Sequence, residues 1–191
     1  MNDKLAVLNP FAKLADETLA LRAARAGAIG AWLSAAGGVL VTIQMTLRHD
    51  LFVAGVRDRI LASADGRDPA ATERMLGMIE PTALWAGIGM PLLISAVYVG
   101  LGFVQWRRAT RFIPLVLLLI AAYGLLASAN DLMAGKVSPI LTSPFEIGLN
   151  WIISLLPLPF LVAGLRGGFR LKALGAAKAG VSSPPSPSPA P

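Results

Sequence analysis

Few side chains of this sequence could bind or transform a ligand, and they stand between long apolar stretches. The chain has one histidine, His49, and no cysteine, so disulfides and thiolate chemistry are excluded. A single histidine is too few for the common zinc and haem arrangements, although it can act as one acid–base group. The phosphate-binding glycine loop, the Gly-x-Ser-x-Gly elbow and the His-Glu-x-x-His motif do not occur in the sequence. The sequence therefore predicts no catalytic residue, no metal ligands and no cofactor.

One group of polar residues stands where the apolar stretches end. If consecutive stretches run antiparallel, these residues form one layer at the same end of the molecule. Such an outer-face polar ring could hold a cation or a polar head group, with the histidine and the carboxylates as ligands. The alternative is the ordinary polar boundary at which membrane helices leave the lipid. The ring consists of His49, Asp50, Glu80, Asn130, Asp131, Glu146 and Asn150.

Four stretches free of Asp, Glu, Lys, Arg and His must position these residues. Each holds at least 19 residues, and about 20 apolar residues in a helix cross the hydrocarbon layer of a bilayer. Hydrophobic residues make up 55% of the 191-residue chain and charged residues 15%, which is too little polar surface to surround four buried helices in water. The sequence predicts an all-α, four-helix transmembrane bundle with spans at about 26–47, 82–105, 112–131 and 147–165.

Basic residues set the predicted orientation. Eleven of the 17 Lys and Arg residues lie in the N-terminal segment, the C-terminal segment and the short link between spans two and three. The link carries Arg107, Arg108 and Arg111, and short loops rich in Lys and Arg stay in the cytoplasm. Both termini are therefore expected inside (N-in/C-in). The expected location is the inner (cytoplasmic) membrane of a bacterium, a source that the excess of Arg over Lys favours.

Two features within the spans are expected to shape the bundle. Gly30, Ser34 and Gly38 form a row of small residues on one face of span one, which lets another helix approach closely. That helix belongs either to the same chain or to a second copy. Pro157 and Pro159 remove two backbone donors in span four and predict a helix break. Broken helices can form binding sites in transporters, whereas a packed proline kink is the alternative.

Three segments are predicted outside the membrane. Residues 1–25 form a cytoplasmic segment, either an amphipathic helix on the membrane surface or a partly ordered tail. The first extracytoplasmic loop, between Arg48 and Glu80, has apolar residues at helical spacing and is expected to hold two short amphipathic helices. Residues 175–191 are rich in Pro, Ser, Ala and Gly and are expected to form a disordered cytoplasmic tail.

These features favour a non-enzymatic, multi-pass membrane protein that acts through helix–helix contacts as an accessory or regulatory subunit. Its expected partners are the lipid bilayer and either another membrane protein or further copies of itself. Nucleic-acid binding is not expected, because the sequence has no basic soluble domain.

Two other functions stay open at this point. One is a transporter or channel component that uses the proline break and the polar ring, and a water-filled cavity that reaches the break would favour it. The four charge-free stretches contain no ionisable group other than tyrosine, which disfavours ion-coupled transport. The other is a membrane enzyme that acts on lipid at the outer face, with His49 and a carboxylate as acid–base partners.

Overall fold

The structure is a computed structural model that describes residues 7–9, 13–62, 69–78, 85–135, 141 and 143–181. All regular secondary structure in these residues is helical. The elements are α1 (Glu17–Leu47), α2 (His49–Ala62), α3 (Pro69–Gly77), a π-helix (Trp85–Gly89), α4 (Met90–Arg108), α5 (Phe112–Met133), α6 (Pro144–Leu155) and α7 (Leu158–Val181).

Four helical segments are long and apolar enough to cross a membrane, which confirms the prediction of an all-helical chain with four such helices. The shortest has 22 residues, or about 33 Å at 1.5 Å per residue, close to the thickness of the hydrocarbon layer. Much of their apolar surface faces away from the protein, as is expected of helices in lipid. The segments are Glu17–Leu47, Trp85–Arg108, Phe112–Met133 and Pro144–Gly175.

Helix α1 is the central element and packs against both α7 and α4. It begins at Glu17 rather than at Ala26, and Asp16 caps it by accepting a hydrogen bond from the Leu19 backbone N–H at 2.7 Å. The added turns are part of the bundle, because Ala20, Ala23 and Ala24 are fully buried. Alanine favours a helix and fills little space, so α1 continues past the charge-free stretch along the surface of α7.

Glycines let α1 and α7 approach until their backbones touch. A Cβ on Gly164 would lie 2.5 Å from the Cα of Gly27, and a Cβ on Gly167 would overlap the backbone of Ala24. One turn further, Gly30 lies against the side chain of Leu161. Such close contact between small residues is a main source of helix association in lipid. It holds the second half of the fourth span firmly on α1.

A buried amide links α1 to α4. The Gln105 side chain is fully buried; its Nε2 donates to the Ala24 carbonyl at 2.9 Å, and its Oε1 accepts from the Thr110 hydroxyl at 3.1 Å. Interhelical hydrogen bonds in membranes contribute about 0.6 kcal/mol on average. This link fixes the level at which α4 crosses α1 near the end of the bundle where α4 ends and α5 begins, here called the Arg107 end.

The fourth span is interrupted where the two prolines lie. Helix α6 ends at Leu155, α7 begins at Leu158, and Pro157 stands between them. The two helices differ in packing, since α6 contains no buried residue whereas Leu161, Gly164 and Gly167 of α7 are buried against α1. The fourth span therefore consists of a loosely packed first half and a firmly packed second half.

Two short helices follow α1 in the chain. In α2, Phe52, Val53, Val56 and Ile60 are half-buried while most residues between them are exposed. The Phe52 ring lies beside Gly87 of the π-helix, so α2 folds back over the end of the bundle where α1 ends and α6 begins, here called the Arg48 end.

Several predicted features fall outside the described residues. These are most of the N-terminal segment before Lys13, Glu80 and the last part of the tail, residues 182–191. Residues 175–181, predicted as the start of the disordered tail, continue α7 as a helix to Val181, because their alanines favour helix.

Candidate functional site

A cavity of about 320 Å³ lies in the middle of the bundle between α1, α5 and α6. Each of these helices contributes residues spaced three or four apart, so one face of each helix borders the cavity. Tyr98 of α4 adds a fourth wall. The described residues that line it are Ser34, Gly37, Gly38, Val41, Tyr98, Ile120, Ala121, Gly124, Leu125, Ser128, Asn150, Ile153, Ser154 and Pro157.

The cavity extends to the break in the fourth span. Pro157 lines it directly, and neither Pro157 nor Pro159 has an N–H to donate. The carbonyls of Ile153 and Leu155 therefore lack the helical hydrogen bond that a residue four positions later would give. Ile153 is itself a lining residue. Irregular backbone at membrane depth is tolerated where it is buried in protein or borders a cavity. The break in the fourth span borders a cavity.

Hydroxyl and amide groups give the cavity its polar chemistry. Ser34 Oγ donates to the Gly30 carbonyl at 3.0 Å, and Ser154 Oγ donates to the Asn150 carbonyl at 2.8 Å. Their protons are thus in use, and their oxygens remain free to accept hydrogen bonds. The side chains of Tyr98, Ser128 and Asn150 form no hydrogen bond within the described residues. None of the described lining residues carries a charge.

Small residues leave the space that the cavity occupies. A Cβ on Gly124 would meet nothing within 4 Å, whereas a Cβ on Gly38 would strike the Ser95 side chain. In the predicted small-residue row of span one, Gly30 packs on α7, Gly38 packs on α4, and Ser34 and Gly38 border the cavity. The row thus contacts helices of the same chain and also forms one wall of the site.

At the Arg48 end, an ion pair joins the end of α1 to the start of α6. The two terminal nitrogens of Arg48 donate to the two oxygens of Glu146 at 3.0 Å and 2.5 Å. Glu146 also accepts from the Ser143 backbone N–H, while the Ser143 hydroxyl accepts from the Glu146 N–H, which completes a capping box. The hydrogen bond that Arg48 donates to Glu146 raises the pKa of Arg48 above its ordinary value.

The remaining members of the predicted polar ring are not brought together with this pair. His49 Nδ1 lies 3.8 Å from Asp50 Oδ1, beyond hydrogen-bond distance, and Asp50 is fully exposed. Asn130 and Asp131 are exposed, and their side chains form no hydrogen bond or ion pair within the described residues. Asn150 lines the cavity instead, and Glu80 lies outside the described residues. No group of three His, Asp or Glu residues in the described chain could hold a metal ion.

Sequence reasoning did not single out Arg48 or Tyr98. A signal for the cavity was present in span four, since Asn150, Ser154 and Pro157 follow one another at intervals of four and three and so share a helical face with the break. For the Arg48–Glu146 pair there was no local signal, because the two residues are 98 positions apart.

Searches of protein-family models, of curated proteins and of solved structures find no match to this chain. The site is an uncharged cavity with hydrogen-bonding groups, bordered by apolar helices, partly open to the outside and placed at a break in one of the helices.

Proposed function

We propose that the protein is a transporter or channel component that binds a small neutral molecule in the cavity between α1, α5 and α6. The observation that carries the proposal is a cavity that has hydroxyl and amide groups among its mostly apolar lining and that extends to Pro157. A bundle whose only role is to contact other helices would be expected to fill this space with side chains, because voids between packed helices cost stability.

The lining favours a molecule without formal charge. A charged group at this depth would need a partner of opposite charge, since isolated charges are costly within a membrane, and none of the described lining residues supplies one. The volume lies at the lower end of the range of small-molecule sites, about 300–1,000 Å³. Hydroxyls, an amide and a backbone carbonyl without a helical donor suit a ligand with several hydroxyl or amide groups, such as a polyol.

Helix α6 is the element that we expect to admit the ligand. Helix α6 is more loosely packed than α7, and the proline break between the two helices can act as a hinge. At the other end of α6, the Arg48–Glu146 pair links its first turn to the end of α1. Broken helices form the substrate sites of many transporters, and access to such a site changes when one part of the bundle moves against another. The fixed part here is α7, held by its glycines on α1.

The proposed setting is the inner membrane of a bacterium with both termini in the cytoplasm. This orientation is supported by the basic link between α4 and α5. It would place α2 and α3 in the first extracytoplasmic loop, and the Arg48 end of the bundle would face outward.

Entry of glycerol into proteoliposomes tests the proposal, with light scattering as the measurement of swelling. Vesicles that contain the protein are expected to swell faster than protein-free vesicles. Gly124→Leu should reduce this gain severalfold, because its side chain would occupy space that is now empty. Leu119→Ala, a change on the lipid-facing side of the same helix, serves as the control and should leave the rate unchanged.

Equal swelling of vesicles with and without protein, for glycerol and for smaller and larger polyols, would contradict the proposal. The accessory-subunit function would then be favoured by Tyr123, which lies in the middle of α5 and is 76% exposed. A phenol hydroxyl facing lipid lacks a hydrogen-bond partner, and a neighbouring membrane protein could supply one. Purification in mild detergent would then be expected to yield a partner in fixed stoichiometry.

A further inference from the structure

An arginine and three aromatic side chains form a cluster between α1 and α4 near the Arg107 end. The Arg25 guanidinium lies 5.4 Å from the centroid of the Trp106 ring. Trp106 stacks on Trp32 at 5.8 Å, and Phe103 meets Trp32 edge-on at 5.5 Å. These four residues are called the Arg25 cluster. They form a continuous strip that leads from a positive charge to an apolar surface.

Two donors of the Arg25 cluster lack an acceptor. Arg25 Nε and Trp32 Nε1 are both buried and have no hydrogen-bond partner within the described residues. Buried donors without a partner are uncommon and costly in folded proteins. Arg25 also has no carboxylate partner among the described residues, although it is only half-buried. The Arg25 guanidinium therefore lacks an acceptor, and an anionic one would also balance its charge, whereas Trp32 Nε1 lies against Gly102 of α4.

The surroundings of the Arg25 cluster are strongly basic. Arg107 and Arg108 directly follow Trp106 and are exposed, and Arg22 lies one turn before Arg25. The described acidic residues at this end are Asp16 and Glu17, and Asp16 accepts the capping hydrogen bond from Leu19. Positive potential at this end is therefore largely uncompensated by the described part of the protein, which attracts anions from the membrane surface.

We propose that the Arg25 cluster binds the phosphate of an anionic phospholipid. Guanidinium groups bind phosphate oxygens in a bidentate manner, and an arginine already stacked on an aromatic ring is pre-oriented to do so. Trp32 lies seven residues from Arg25 along α1, about 10 Å away. An acyl chain that leaves a phosphate at Arg25 would therefore lie along Trp32 and Phe103. This site is separate from the cavity and does not depend on its function.

Quenching of tryptophan fluorescence by brominated lipids tests the proposal in the reconstituted full chain. Trp85→Phe and Trp151→Phe leave Trp32 and Trp106 as the fluorescent residues. The vesicles contain phosphatidylcholine and phosphatidylglycerol, and one of the two lipids is brominated at a time. Quenching of Trp32 and Trp106 is expected to show a preference of about fivefold for phosphatidylglycerol over phosphatidylcholine, because one basic contact at a membrane surface has roughly this effect. Arg25→Gln in the same background should reduce the preference to near onefold.

Lys172→Gln is the matched control, because Lys172 is an exposed cation of α7 at the same end of the bundle and outside the cluster. It should keep the preference for phosphatidylglycerol. Arg25→Lys retains the positive charge but loses the planar guanidinium that binds phosphate in a bidentate manner, so it should at least halve the preference. It replaces Arg25→Gln in the test if that variant does not fold. Equal quenching by the two brominated lipids, or a preference that survives both Arg25 variants, would overturn the proposal.

Discussion

At the residue scale, the first turn of α6 is tied to the end of α1 by one pair of side chains. Arg48 and Glu146 meet through two hydrogen bonds, and Glu146 also caps α6 through Ser143. Their side chains are 33% and 23% exposed, so the pair is neither buried nor fully solvated. Its importance lies in its position, since α6 has few other contacts that hold its first turn near α1.

Replacement of Arg48 tests this pair through the pH dependence of stability. Glu146 raises the pKa of Arg48, so the stabilisation is fully present below the unfolded pKa and is lost only as pH rises through the higher folded value. The contribution of the Arg48–Glu146 pair to the melting temperature is thus expected to stay constant up to moderately alkaline pH. In Arg48→Lys the stabilisation should be lost as pH rises through the pKa of lysine, about 10.4.

Thermal unfolding in detergent, followed by circular dichroism, measures this difference. Arg57→Lys on α2 is the control, since Arg57 is exposed and is not part of the pair. The pair would be irrelevant to stability if Arg48→Lys and Arg57→Lys melted alike at neutral and at alkaline pH.

At the element scale, the proline break divides one span into two helices with different tasks. Helix α7 is held on α1 by glycine contacts, whereas α6 borders the cavity and has no buried residue. The divided span explains how a bundle of four helices can be stable and still contain a space of about 320 Å³.

Pro157→Ala is expected to join α6 and α7 into a more regular helix. Alanine restores the N–H that the Ile153 carbonyl lacks, so α6 should become more rigid. The chain has no cysteine, so a protein with both Phe145→Cys and Leu126→Cys carries spin labels at these two positions and at no other. Their distance distribution should be narrower in Pro157→Ala than in the parent protein.

Pro91→Ala provides the control for this substitution. Pro91 lies at the start of α4, directly after the π-helix of the same span, and has no part in the break between α6 and α7, so the distribution should not change. A distribution that is equally narrow with and without Pro157 would contradict a flexible α6.

The four apolar helices and the break were predictable because they depend on local sequence. Absence of charge over 19 or more residues, or a missing N–H at a proline, can be recognised without knowledge of neighbouring helices. The cavity was not predictable in this way. Gly30 and Gly124 are equally small, yet one lies against Leu161 and the other faces empty space, and this difference arises only from how the helices are arranged.

At the scale of the whole molecule, apolar surface faces outward and several polar groups border a partly open cavity. Leu119 is 61% exposed and Leu126 is 71% exposed on the outer side of α5, while Ser128 of the same helix borders the cavity. In water this arrangement would leave a large apolar surface unprotected, whereas in a bilayer it is the stable one. This arrangement requires lipid around the bundle and water in the cavity.

Labelling of single cysteines in reconstituted vesicles by a polar thiosulfonate reagent tests this requirement most directly. The reagent reacts with the thiolate, which forms in water and not in hydrocarbon. Ser34→Cys, in the cavity wall, is expected to react, and Leu119→Cys, on the outer side of α5, is expected to remain unreactive. A Ser34→Cys variant as inert as Leu119→Cys would show a dry, closed interior, and a reactive Leu119→Cys would show that this helix does not face lipid.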